Sequence, residues 1–279
     1  MPRKNAGPGA PDLRLIPGGG EGEGDGDDAP ALDDIDVGLL IGSIYQDLAG
    51  QVRQAIGPLD AELTVSGWLG VMTATITVGT PPGEADDATT AFLTSFVDHA
   101  HEQGSPEALA LLRTLAALAP TGIAEQAGRA ALDLAARDVR DRPWAGSLGH
   151  PMIGRCWQYG DLTGQQVSVN LTFEYGQGAH LVSVLIDHGL GGGVKDCWIG
   201  DAPALAWQQI NELAANDPDV VVTPLPWTDA RDQVVAALQR PACPVDDDQV
   251  QDVAEFMAVV RSRLARLGGR TGTGPRGRG

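Results

Sequence analysis

QQVSVNLTFEY (Gln165–Tyr175) is the stretch whose reading decides the fold. Along it Val167, Val169, Leu171, Phe173 and Tyr175 alternate with Gln166, Ser168, Asn170, Thr172 and Glu174. Successive side chains of a strand point to opposite faces, so this alternation predicts a strand with one buried and one wet face. GRCWQYG (Gly154–Gly160) before it and HLVSVLIDH (His180–His188) after it are bounded by LTG (Leu162–Gly164) and GQG (Gly176–Gly178), which are short enough for hairpin turns. With VKDCWIG (Val194–Gly200) they predict a four-stranded antiparallel meander.

Upstream of residue 142 the apolar spacing is helical. Asp33 to Asp36 place acids ahead of Val37, Leu40, Ile41, Ile44, Leu48 and Val52, which recur at three and four and form one face. Gly57 and Pro58 should end that helix. Leu59 to Thr75 is read as a second helix, although the alternation in VMTATITV (Val71–Val78) also suits a strand. A third begins at Asp87 and carries Phe92, Phe96 and Val97. Ser105, Pro106 and Glu107 then supply a cap, a first-turn proline and an early acid before Leu109, Leu112, Leu115 and Leu118. A fifth helix runs from Thr121 through Leu134.

Beyond the meander, helical spacing returns around Leu205, Ile210 and Leu213, followed by a short strand VVVTPL (Val220–Leu225) and a helix from Thr228 to Gln239. A final helix over 246–267 carries Val250, Val253, Met257, Val260, Leu264 and Leu267. That stripe fits a helix lying on a domain or a coiled-coil seam, and the seam is the one route to a homo-oligomer legible here. The expected class is α+β: an all-helical module over 32–141, then an α+β domain over 142–267 in which the meander packs with C-terminal helices. Residues 1–31 read as a disordered acidic tail and 268–279 as a disordered basic one, because Gly, Pro and charge replace the apolar residues that would offset ordering entropy.

Charge narrows the function classes. The 37 acidic and 19 basic side chains give a formal net charge of -18, which argues against nonspecific binding to nucleic acid or anionic membrane, since both need clustered Lys and Arg. A cationic partner or simple solubility fits better. No apolar run reaches the roughly 20 residues of a membrane span. Three cysteines, and a basic start with no apolar segment after it, point to a cytoplasmic protein with reduced thiols.

LIDHGLGGGVKDCWIG (Leu185–Gly200) gathers the residue types that carry chemistry. Walker spacing is absent, because Gly193 is followed by Val194, Lys195 and Asp196. As a nucleophilic site, Cys197 with His188 and Asp187 has the right atoms. A hairpin centred on Gly191 would however face His188 with Val194, Asp187 with Lys195 and Leu185 with Cys197. His188 and Cys197 would then lie about 10 Å apart at strand rise and on opposite sheet faces, while Asp187 and Lys195 would form a cross-strand ion pair. The remaining reading is a structural glycine-rich tip with His188 and Lys195 at a binding lip. Five histidines and three cysteines show no metal-binding spacing, and no cofactor is expected. Trp144, Trp157, Trp198, Trp207 and Trp227 crowd the C-terminal half, as core, interface or pocket wall.

RPWAGSLG (Arg142–Gly149), GRCWQYGD (Gly154–Asp161) and VLIDHGLGGGVKD (Val184–Asp196) resemble a family of uncharacterised actinobacterial proteins with an N-terminal helical and a C-terminal sheet-containing region. The use of Ala, Gly, Asp, Arg and Pro, as in a high-GC genome, agrees with such a source. The resemblance implies the two-part fold and no activity. The resulting expectation is a non-enzymatic cytoplasmic protein that binds another protein, with binding residues Asp187, His188, Lys195, Trp157 and Trp198. The alternative is a small-molecule binder or hydrolase using the sheet around His188, Lys195 and Cys197.

Overall fold

The computed structural model describes residues 36–266 apart from 82, 177 and 244–246; the two tail readings fall outside the described residues. Five helices come first: α1 (Val37–Gln54), α2 (Pro58–Gly79), α3 (Ala85–Gln103), α4 (Pro106–Leu118) and α5 (Thr121–Ala136). The Asp36 carboxylate caps α1 by accepting from the Gly38 and Leu39 amides at 2.9 and 3.2 Å, and Ser105 Oγ caps α4 by accepting from Ala108 N–H at 3.0 Å. Helix α4 runs through the middle of the bundle. Leu109, Leu111, Leu112 and Leu115 are all sealed from solvent, each worth about 2 kcal/mol of burial. The segment 58–79 is helical throughout, because Ala61, Val65, Trp68, Leu69 and Met72 join the bundle core at helical spacing.

The sheet has five strands and not four: β1 (Met152–Asp161), β2 (Gln166–Tyr175), β3 (Gly178–Asp187), β4 (Gly193–Gly200) and β5 (Val220–Leu225). Their order is β4-β3-β2-β1-β5, with every neighbouring pair antiparallel. The meander reads correctly from local turns, but β5 joins the far edge beside β1. Helix α6 (Pro203–Asn216) carries the chain from β4 to β5, so that pairing has no local turn to announce it. Helices α7 (Trp227–Leu238) and α8 (Asp247–Arg266) follow.

On the inner face of the sheet Val169, Leu171, Phe173, Val182, Val184 and Cys197 pack against Ala230 and Val234 of α7 and Val260 and Leu264 of α8. Val259 of the same α8 belongs to the bundle core. Ser262 Oγ donates to the Ala117 carbonyl of α4 at 2.8 Å, and Ser66 Oγ of α2 donates to the Glu255 carbonyl at 2.5 Å. One helix therefore serves both cores, and the stripe carrying Val260 and Leu264 is spent within the chain.

The outer face differs from its expected wet character. Ser168, Asn170 and Thr172 do lie opposite the valines, yet all three are buried. Helix α6 crosses this face, touching β3 and β5, and Trp207 on it meets Trp157 of β1 edge to face at 5.2 Å between centroids. Alternation fixes which side chains share a face; it says nothing of what later covers that face.

Candidate functional site

The hairpin tip follows a different register from the one expected. Asp187 pairs with Gly193, Ile186 with Val194, and Val184 with Cys197, after a bulge between Leu185 and Ile186. His188–Leu190 forms a single 3-10 turn, and Gly191 and Gly192 take φ of 105° and 79°, left-handed values that glycine adopts without strain. At Gly193 a side chain would overlap the Pro241 carbonyl. The segment after α7 locks onto the tip, because Cys243 N–H donates to the Val194 carbonyl at 2.9 Å and Arg240 Nη1 to the Gly191 carbonyl at 3.1 Å. The expected symmetric hairpin gave way to a 3-10 turn, which Gly191 and Gly192 permit, and to a bulge that leaves Lys195 without a partner residue in the ladder.

Asp187 and Lys195 pair at 3.2 Å even so. The buried Asp187 carboxylate also accepts from Gln166 Nε2 at 2.8 Å and from Leu190 N–H at 3.1 Å. Burial works against its ionisation, but the bonds from Lys195 and Leu190 prevail and hold the carboxyl below the usual carboxylate range. Its lone pairs are committed to holding the turn. His188 is exposed beyond the strand end, whereas Cys197 is sealed in the inner core, where burial and then the Asp196 charge push its thiol up. The structure thus keeps Asp187 with Lys195 and does not bring His188 to Cys197.

Trp157 and Trp198 stand at the two ends of one row. The pairings Trp157↔Asn170, Asn170↔Ser183 and Ser183↔Trp198 run across four strands of the outer face. Trp157 is enclosed and its indole N–H has no acceptor, while Trp198 is 42% exposed. Beside this row β1 bulges between Ile153 and Cys156, and Arg155 leaves the sheet to lie on the Trp207 ring at 4.6 Å. Gly154, Arg155, Cys156, Trp207, Leu225 and Trp227 border a cleft of about 460 Å³ there.

A buried polar network joins the two halves of the molecule, and nothing in the expected site residues pointed to it. Glu62 of α2 and Arg263 of α8 are both sealed from solvent and pair through Oε2 and Nη2 at 2.5 Å. Glu62 Oε1 also accepts from Tyr175 Oη at 2.7 Å and from the Gly149 amide at 3.0 Å. Arg263 Nε donates to His180 Nε2 at 3.3 Å, so the proton of that neutral ring sits on Nδ1. The guanidinium also lies over Tyr175 at 5.2 Å. Burial, reinforced by the Arg263 charge, pulls the His180 pKa down to about 3, and burial beside the Glu62 charge raises Tyr175. Glu62, His180 and Arg263 are sealed from solvent, Tyr175 is partly buried, and the hydrogen bonds among them make the network a fastening between layers. A signal for it exists in the sequence: one acid and one base interrupt otherwise apolar helical stripes.

Among the described residues no three His, Cys, Asp or Glu side chains gather where they could hold a metal ion, and no helix is long and apolar enough to cross a membrane. No family model matches the chain, and neither a curated protein nor a solved structure is significantly similar to it.

Proposed function

We propose that the protein is a non-enzymatic cytoplasmic binding protein, and that it docks another protein carrying a basic, partly apolar surface on the layer formed by α6. The observation that carries this reading is the character of that layer. Helix α6 crosses the outer sheet face without burying any of its residues fully, and it leaves Leu205 and Leu213 52% and 49% exposed, while Trp198 on β4 is 42% exposed. From Asp196 to Ala230 the chain carries Asp196, Asp201, Glu212, Asp217, Asp219 and Asp229 and no Lys, Arg or His. An apolar patch rimmed by charge of one sign fits a partner of the opposite sign, and the rim speeds and orients its approach.

The side chains that would serve a nucleophilic mechanism support the non-enzymatic part. Asp187 is committed to the hairpin turn, and the Cys197 thiol is buried away from His188. The three unpaired cysteines fit a reducing compartment. Native affinity capture with the wild-type chain and with the Leu205→Asp/Leu213→Asp variant tests the docking layer. A partner retained by the first, lost by the second and released by salt is the expected result. Capture indifferent to both substitutions and to salt would remove the reading.

A further inference from the structure

The cleft beside β5 has the opposite electrostatics from the rest of this acidic chain. Arg155 is the one charged residue in its lining, with Gly154, Cys156, Trp207, Pro224, Leu225 and Trp227 supplying neutral walls. Arg113 and Arg142 reach carboxylates, at Asp141 and Glu107. Among the described residues, no acid pairs with the Arg155 guanidinium; it lies on the Trp207 ring. A guanidinium placed over a ring without a carboxylate partner has N–H groups that can grip an incoming carboxylate with two parallel bonds.

Three features show that this arrangement is built into the fold. The bulge between Ile153 and Cys156 turns Arg155 out of the strand ladder, and Thr172 Oγ1 donates to the Arg155 carbonyl at 2.8 Å and holds that backbone. Behind Trp207 sits Trp157, packed edge-on at 5.2 Å with its indole N–H buried and without an acceptor. Trp227, the first residue of α7, supplies a further aromatic wall. Asp229 lies in the first turn of α7 but not in the lining.

We propose that this cleft is a binding site for a small planar aromatic carboxylate, with Arg155 gripping the carboxylate and Trp207 and Trp227 flanking the ring. A volume of about 460 Å³ is within the usual range for small-ligand sites. A monoanion fits better than a phosphate dianion, because a single cation lines the site. The site is independent of protein docking on α6, although Trp207 belongs to both layers.

The test uses the full chain with 2-naphthoate as the probe, and 2-naphthamide and inorganic phosphate as controls, read by tryptophan fluorescence and by calorimetry. Saturable naphthoate binding at least about tenfold tighter than naphthamide, with no phosphate binding, is expected if the charge-assisted fork supplies the difference. Arg155→Met should abolish that preference. Arg155→Lys, which keeps the charge and loses the fork, should lose most of it; because Arg155 is exposed, both variants should melt with the wild type. Equal affinity for the acid and the amide, preference surviving in Arg155→Met, or absence of saturable binding at millimolar naphthoate would each overturn the proposal.

Discussion

Glu62 and Arg263 meet across 201 residues of sequence, and a buried pair of this kind is fragile in a specific way. Removing one partner strands the other charge out of water, so Arg263→Met should cost about 3–5 kcal/mol, whereas replacing both removes the desolvation penalty as well. Urea titration of Glu62→Met, Arg263→Met and the double variant should therefore show a double-variant loss smaller than the sum of the singles; strict additivity would mean the pair does not interact. His180, in contact with Arg263, gives a second expectation. Its folded pKa lies near 3 against a free value of 6.5, so between those values the unfolded chain holds a proton that the folded chain does not. Stability should fall as pH drops through that window, at a rate on the order of 1 kcal/mol per pH unit. His180→Gln should flatten the slope in urea midpoints taken at pH 7, 6 and 5, and an unchanged slope would show that the ring is not held neutral.

At the scale of elements, the crossing of α2 and α8 is set by one glycine. A side chain on Gly70 would overlap the Ala254 carbonyl of α8, while one on Gly67, a single turn earlier, meets nothing within 4 Å. Gly70→Ala should thus destabilise by about 1–3 kcal/mol through overpacking, and Gly67→Ala should stabilise by about 0.5–1 kcal/mol through the helix interior. Thermal melts of the two variants should move in opposite directions. Helix periodicity in the sequence marked α1 and α5 well, because each turns one apolar stripe to the bundle, and α4 was marked by its Ser105–Pro106–Glu107 start. The same periodicity could not say that α8 seats between a bundle and a sheet, since a stripe for either partner has the same spacing.

The whole molecule is organised around that shared α8. Val259 enters the helical core while Val260 and Leu264 enter the sheet core, and the Glu62–Arg263 pair crosses the seam. Two cores fastened through one helix should unfold together. Far-ultraviolet circular dichroism, which weights the helices, and tryptophan fluorescence, which weights the sheet half, should give coincident denaturation curves. Separate midpoints would show that the halves are independent.

The sequence by itself determined the helical half, the β1 to β4 meander, the Ser105 cap and the Asp187–Lys195 pair, because each rests on contacts within a turn or across one hairpin. The pairing of the fifth strand beside β1, the burial of Ser168, Asn170 and Thr172, the Glu62–Arg263–His180 network and the Arg155 cleft were decided by tertiary structure alone. They join residues separated by tens to hundreds of positions, and no local period encodes which distant surface will arrive to cover, pair with or stack upon them.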